Sequence, residues 1–188
     1  MQKQTNLSDK LEEILQTYHD SFSAKVYNPE NEDTDLLMNV FGITQERKRE
    51  NRQYWGRELG KCWERLVVTF CKSLRDDFKP ALKIGSDEPC DLVIGKYAID
   101  TKYRIGSGDS GTLKKFRLYS KMLKQEGYQP LLLILREDNL PAAITACRRG
   151  GWKILQGKES LDFLKEQTSK DLVQFLEKRV GKFDITVP

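Results

Sequence analysis

Apolar residues recur at helical spacing at the start of the chain, give way to short apolar runs after Pro80, and return to helical spacing near the end. In LSDKLEEILQTY, residues 7 to 18, Leu7, Leu11, Ile14 and Leu15 lie three and four apart, the period of an amphipathic helix, with Ser8 as a cap near its start. The acidic, turn-rich YNPENEDTD follows, so residues 1–43 are expected to form an N-terminal helical arm or subdomain and residues 44–188 the main domain. From Thr44, the stretch TQERKRENRQYWGRELGKCWERLVVTFCKSL keeps Leu59, Cys62, Trp63, Leu66, Val67, Phe70 and Leu74 at helical spacing, with Gly56 or Gly60 as its expected division.

After Pro80 the segments ALKIG, DLVIG and YAIDTKYR are short, β-branched or aromatic and punctuated by glycine, which predicts strands. LKKFRLYSKMLKQEG reads as a helix ending at Gly127, and QPLLLILRE as a continuously apolar strand. LPAAITACRRGG reads as a helix with Pro141 in its first turn, WKILQG as a last strand, and SLDFLKEQ and SKDLVQFLEKRV as helices opened by Ser160 and Ser169. This order predicts an α/β fold, a mixed central sheet flanked by helices.

The four cysteines contain no CxxC pair and His19 is the single histidine, so a zinc site or a Ser-His or Cys-His catalytic pair is not expected. Buried free thiols are expected instead, and carboxylates and lysines are left as the chemical groups. No apolar run is long enough for a membrane span, and the first residues lack the apolar core of a signal peptide, so a cytoplasmic protein is expected. The net charge of +4 is mild, but between Lys96 and Tyr128 eight lysines and arginines face three acids, a local excess suited to a polyanion.

One stretch breaks the apolar pattern: CDLVIGKYAIDTKYRIGSGDSGT, residues 90 to 112. With Gly95-Lys96 as a two-residue type II′ turn, DLVI and YAID pair as a hairpin whose outer ends bring Asp91 opposite Asp100. Like charges so placed are destabilising, and Lys102 lies two residues beyond Asp100 on the same face. Two carboxylates with an ammonium beside them suit a hard cation such as Mg²⁺, bound through oxygen.

Asp91 followed by Asp100-Thr101-Lys102 resembles the PD-(D/E)xK nuclease motif, with Pro89 one residue further from the first acid than the motif's name implies. The resemblance covers roughly residues 55 to 157, and it implies a restriction-endonuclease-like fold and Mg²⁺-dependent hydrolysis of DNA phosphodiesters. In that family Asp91 and Asp100 would hold the metal, while Lys102 would orient or deprotonate water and stabilise charge on the phosphate. GKCWERLV resembles the family's helix that contributes a third acid, which points to Glu64 as a catalytic and metal-binding residue, with Glu58 as its competitor.

The loop RIGSGDSGT supplies Arg104, Ser107, Ser110 and Thr112, and the following helix Lys114, Lys115, Arg117 and Lys121, as candidate contacts to a DNA backbone. Arg52, Gln53, Tyr54 and Arg57 form a second group whose side chains suit base edges. KYRIGSGDSGTLKKF, LLLILRE and AAITACRRGGWKIL together resemble ApaLI-like type II restriction endonucleases, which implies a homodimer that cuts a short palindromic site in double-stranded DNA. The alternatives are a repair or junction-resolving nuclease of the same fold, or a non-catalytic DNA-binding protein.

Overall fold

The computed structural model describes residues 7–23, 33–106 and 110–185. The chain divides into two units, Met1–Asn31 and Glu32–Pro188. The first contains helix α1 (Leu7–Ser23), on which Ile14, Leu15 and Tyr18 are exposed. The division lies twelve residues before the boundary expected after residue 43, because α2 (Leu36–Val40) belongs to the second unit. There Leu37, Met38, Val40 and Ile43 are buried in the core. Asp35 caps α2 by accepting the amides of Leu37 and Met38.

The long helical stretch after Thr44 divides at Asn51 and at neither expected glycine. Helix α3 (Gln45–Glu50) ends there and α4 (Arg52–Leu74) begins, with the Asn51 side chain accepting the Tyr54 amide as an N-cap. Asparagine offers a capping oxygen that glycine lacks, so Gly56 and Gly60 remain inside α4.

Five strands follow in chain order across one sheet: β1 (Lys79–Pro80), β2 (Leu92–Ile94), β3 (Tyr97–Lys102), β4 (Gln129–Ile134) and β5 (Lys153–Gln156). β1, β2 and β3 pair antiparallel, and β3, β4 and β5 pair parallel. The expected strand at ALKIG is not one; pairing is confined to Lys79–Pro80 and to a bridge between Ile84 and Asp87. Pro80 lacks an amide donor, which suits the sheet edge where β1 lies.

The parallel crossovers run through α5 (Ser110–Gln125) and α6 (Pro141–Arg149), and α7 (Lys158–Thr168) and α8 (Leu172–Glu177) complete the chain. Pro141 stands in the first turn of α6 as expected. Ser160 lies inside α7 and donates to the carbonyls of Ile134 and Leu155, while Ser169 closes that helix in a left-handed conformation and Asp171 caps α8. Both serines are therefore displaced from the capping roles the sequence suggests.

Alternation along the strands feeds two cores. Leu92, Ile94, Ile99, Leu131 and Leu133 face Leu59, Trp63 and Val67 of α4 together with residues of α2, α7 and α8. Val93, Ala98, Leu132, Ile134 and Ile154 face Phe116 and Leu123 of α5 and Ala143, Ile144 and Cys147 of α6. The fold is thus a mixed sheet between two helical layers. Trp63 is fully buried and satisfies its indole N–H on the Leu133 carbonyl at 3.2 Å, which fixes α4 across the parallel half of the sheet. Among the described residues no helix is long and apolar enough to cross a membrane.

Candidate active site

The β2–β3 hairpin turns at Gly95, whose φ of 52° is the left-handed geometry required at the first position of a type II′ turn. Pairing proceeds as the sequence suggests through Ile94–Tyr97, Val93–Ala98 and Leu92–Ile99, and there it departs from it. The Asp91 amide donates to the carbonyl of Ile99 at 2.8 Å, the residue already paired with Leu92, which is the two-against-one count of a β-bulge. The bulge re-aims Asp91, so the two acids do not continue the ladder as a simple opposed pair. One Asp91 oxygen instead accepts both the amide of Thr101, at 2.6 Å, and its hydroxyl, at 2.7 Å. Two donors on one oxygen stabilise the carboxylate beside a second acid.

Asp100 and Lys102 share the sheet face that looks toward α5, by the two-residue strand period. The Lys102 ammonium stands 2.7 Å from each oxygen of Asp100 and 3.1 Å from the Thr101 carbonyl, and it lies 5.9 Å from the centre of the Phe116 ring on α5. The Asp100 side chain is only 14% exposed. Burial, with the charges of Asp91 and Glu64 adding, pushes its carboxyl up to about 6 in spite of Lys102. For Lys102, burial opposes the charged form, but Asp100, Asp91 and Glu64 outweigh it and hold the ammonium above its ordinary value.

Glu64 and Glu58 flank the apolar stripe of α4, and their surroundings separate them. Desolvation and then the charge of Asp91 push the Glu64 carboxyl up, against Lys102 and Arg65. Glu58 instead takes hydrogen bonds from Arg57 at 2.9 Å and Lys61 at 3.1 Å on the helix surface, and these hold it below the usual carboxylate range. Gly60 on α4 faces Tyr103, just past β3, where a Cβ would make ordinary contact with the Tyr103 Cβ at 3.7 Å. One turn further along α4 comes Glu64, so Glu64, Asp91, Asp100 and Lys102 act electrostatically on one another.

Their fit to a divalent cation rests on charge and donor type. Three carboxylates stand against one ammonium and all the anionic donors are oxygens, while burial first, and the neighbouring acids after it, displaces Asp100 and Glu64 upward. Among the described residues no three acidic, histidine or cysteine side chains converge closely enough to enclose an ion. Lys102 takes the Asp100 oxygens and Thr101 one oxygen of Asp91. The donors are of the oxygen type that a hard cation takes, but Lys102 stands where a cation on Asp100 would compete with it.

The candidate DNA contacts are distributed as follows. Arg52, Gln53, Tyr54 and Arg57 are exposed on the first turns of α4, where Arg57 pairs with Glu58 and lies 5.8 Å from the Tyr54 ring centre. Lys114 and Lys115 are exposed on α5, and Thr112 is half-buried on the same helix. The glycine-serine loop is shorter than expected, since α5 already begins at Ser110; Ser107 lies outside the described residues, as does the side chain of Ser110. Arg104 is tied down, its Nε donating to the Asp138 carbonyl at 2.8 Å and standing 3.1 Å from the Asp138 carboxylate.

Two features of the site escape sequence reading. Thr101 occupies the variable position of Asp-x-Lys, yet it positions Asp91. Behind it, the buried Arg136 binds Asp35 at 2.8 Å and Asp138 at 2.6 Å, and Tyr103 donates its hydroxyl to Asp35. The weak signal for this network is the charged run Arg136-Glu137-Asp138 after an apolar strand; Asp138 is local, but Asp35 and Tyr103 lie far away in the sequence. Cys71, Cys90 and Cys147 are buried and free, and burial pushes their thiols up to about 12, 11 and 11.

No protein-family model, curated protein or solved structure matches the chain.

Proposed function

We propose that this protein is a Mg²⁺-dependent endonuclease of the PD-(D/E)xK kind, cutting double-stranded DNA as a homodimeric type II restriction enzyme. The observation that carries the reading is the coupled set Glu64, Asp91, Asp100 and Lys102, three carboxylates and an ammonium gathered where β3 changes from antiparallel to parallel partners.

In this reading Asp91, Asp100 and Glu64 hold the divalent cation, which supplies positive charge to the scissile phosphate and lowers the pKa of water. The Thr101 amide and hydroxyl fix the rotamer of Asp91. Lys102, held above its ordinary value, stays an ammonium at neutral pH. Beside Asp100 it would stabilise negative charge as it develops on the phosphate, or orient the attacking water. The exposed Arg52, Gln53, Tyr54 and Arg57 on α4, with Lys114 and Lys115 on α5, supply groups for the backbone and for base edges.

The test incubates several plasmid and phage DNAs with protein in Mg²⁺ or in EDTA. Discrete fragments appearing only with Mg²⁺ support the reading, and they should vanish with Asp100→Asn while DNA binding remains. Selective cutting of a four-way junction would favour a junction-resolving enzyme of the same fold. The ion pair of Lys102 with both oxygens of Asp100 favours a second reading, a DNA-binding protein whose acids are structural. That reading expects salt-dependent binding indifferent to Mg²⁺, without cleavage.

A further inference from the structure

We propose that α5 carries a second site, a pocket for a phosphate group built around the Ser120 hydroxyl and separate from the acidic cluster. Ser120 is fully buried, and its Oγ has no hydrogen-bond partner among the described residues. A serine inside a helix ordinarily returns its hydroxyl to the carbonyl one turn back. For Ser120 that acceptor is Phe116, whose carbonyl already takes the indole N–H of Trp152 at 2.7 Å. The hydroxyl is therefore left as an unspent donor.

Ser120 belongs to the wall of a cleft of about 420 Å³, together with Arg117, Lys121, Lys124, Gln125 and Gly150, with its hydroxyl just beneath the cleft surface. Arg117, Lys121 and Lys124 follow one another at four and three residues, which sets them along one stripe of the helix. None of the three has an ion-pair partner among the described residues, and no carboxylate lines the cleft. Arg117 and Lys121 are among the residues that the sequence offers as contacts to a DNA backbone; Ser120 and Lys124 are not.

Gly151 completes the pocket. Its φ is 97°, and a Cβ there would fall 2.3 Å from the Lys124 ammonium and 2.9 Å from the Ser120 hydroxyl. The bare glycine lets a cation and a neutral donor meet at one place. A hydroxyl flanked by converging cations is the chemistry of phosphate recognition, in which charge-assisted hydrogen bonds satisfy several oxygens at once. The phosphate belongs either to a nucleic-acid strand or to a free phosphate compound.

The test compares the wild type, Ser120→Ala and the double variant Lys121→Gln/Lys124→Gln. Inorganic phosphate is titrated by calorimetry at constant ionic strength, and a fluorescent DNA duplex in EDTA is titrated by anisotropy. Phosphate binding is expected to weaken tenfold or more in both variants. Ser120→Ala removes only an unpartnered hydroxyl, so its melting temperature should be unchanged or higher, which separates lost binding from lost folding. A parallel loss of duplex affinity identifies a strand phosphate as the ligand; unchanged duplex affinity identifies a free phosphate compound. Equal phosphate affinity in all three proteins, or no binding to the wild type, overturns the proposal. Neither titration involves cleavage, so the outcome is independent of the nuclease reading.

Discussion

Thr101 gives both its amide and its hydroxyl to the same oxygen of Asp91, at 2.6 and 2.7 Å. The middle residue of Asp100-Thr101-Lys102 thus holds the acid that precedes the neighbouring strand. Thr101→Val keeps the shape and the amide but deletes the hydroxyl. It is expected to lower stability by about 1 kcal/mol, the usual worth of one hydrogen bond. Urea denaturation measures this, and a cleavage assay should show a loss larger than the stability change explains, because Asp91 is freed to turn.

The two glutamates of α4 are expected to part company. Glu64→Gln removes a charge that acts on Asp91, Asp100 and Lys102, so cleavage in Mg²⁺ should fall at least a hundredfold. Glu58→Gln breaks only exposed pairs with Arg57 and Lys61, which solvent screens, so cleavage and stability should be nearly unchanged. Comparable losses in both variants would remove Glu64 from the site.

The hairpin pairs, the glycine turn and the sheet-face placement of Asp100 and Lys102 were legible in the sequence, because strand alternation and turn chemistry are local. The bulge at Asp91 was not, since it depends on which carbonyl the Asp91 amide chooses once the ladder ends. Nor was the division at Asn51, where one capping side chain outweighs two glycines. Glu64 was distinguishable from Glu58 only after α4 had a partner, because helical spacing alone put both beside the apolar stripe. The membership of α2 in the core was hidden by the acidic, turn-rich stretch before it, which resembles a linker.

Stability should depend on the protonation of Asp100. Its folded value, raised to about 6 chiefly by burial, exceeds an unfolded value of about 3.9, so the folded state holds the proton more tightly. The resulting stabilisation is fully present below about pH 4 and is lost as pH rises through 6, a total of about 3 kcal/mol. Urea titrations across that range in EDTA read it directly as the difference between the wild type and Asp100→Asn, which lacks the titrating group. Parallel curves for the two proteins would show that burial does not act on Asp100 in this way.

Arg136 is expected to be the least replaceable cation in the second unit. Its side chain is 4% exposed and bridges Asp35 before α2 to Asp138 after β4. Burial disfavours its charge, but hydrogen bonds to Asp138 and Asp35 outweigh that and hold the guanidinium above its ordinary value. Arg136→Met takes the guanidinium from both acids, leaving Asp138 with Arg104 at 3.1 Å and Asp35 without its buried ion pair to Arg136, and breaking a buried pair in this way costs about 3–5 kcal/mol. Arg136→Lys should restore only part of the loss, because an ammonium cannot reproduce the fork. The urea midpoints of the two variants rank these effects.

Asp91 and Asp100 come from a single tight hairpin, whereas Glu64 comes from a helix that must dock across the sheet. Hairpins close in roughly 1–10 μs, ahead of most tertiary packing. Two of the three acids are therefore brought together early, with Lys102 of the same strand beside them. Refolding should consequently quicken in Mg²⁺ relative to EDTA at neutral pH, by stopped-flow fluorescence, and lose that dependence in Asp100→Asn. A cation that binds these carboxylates would thus act on the order in which the chain folds as well as on the folded site.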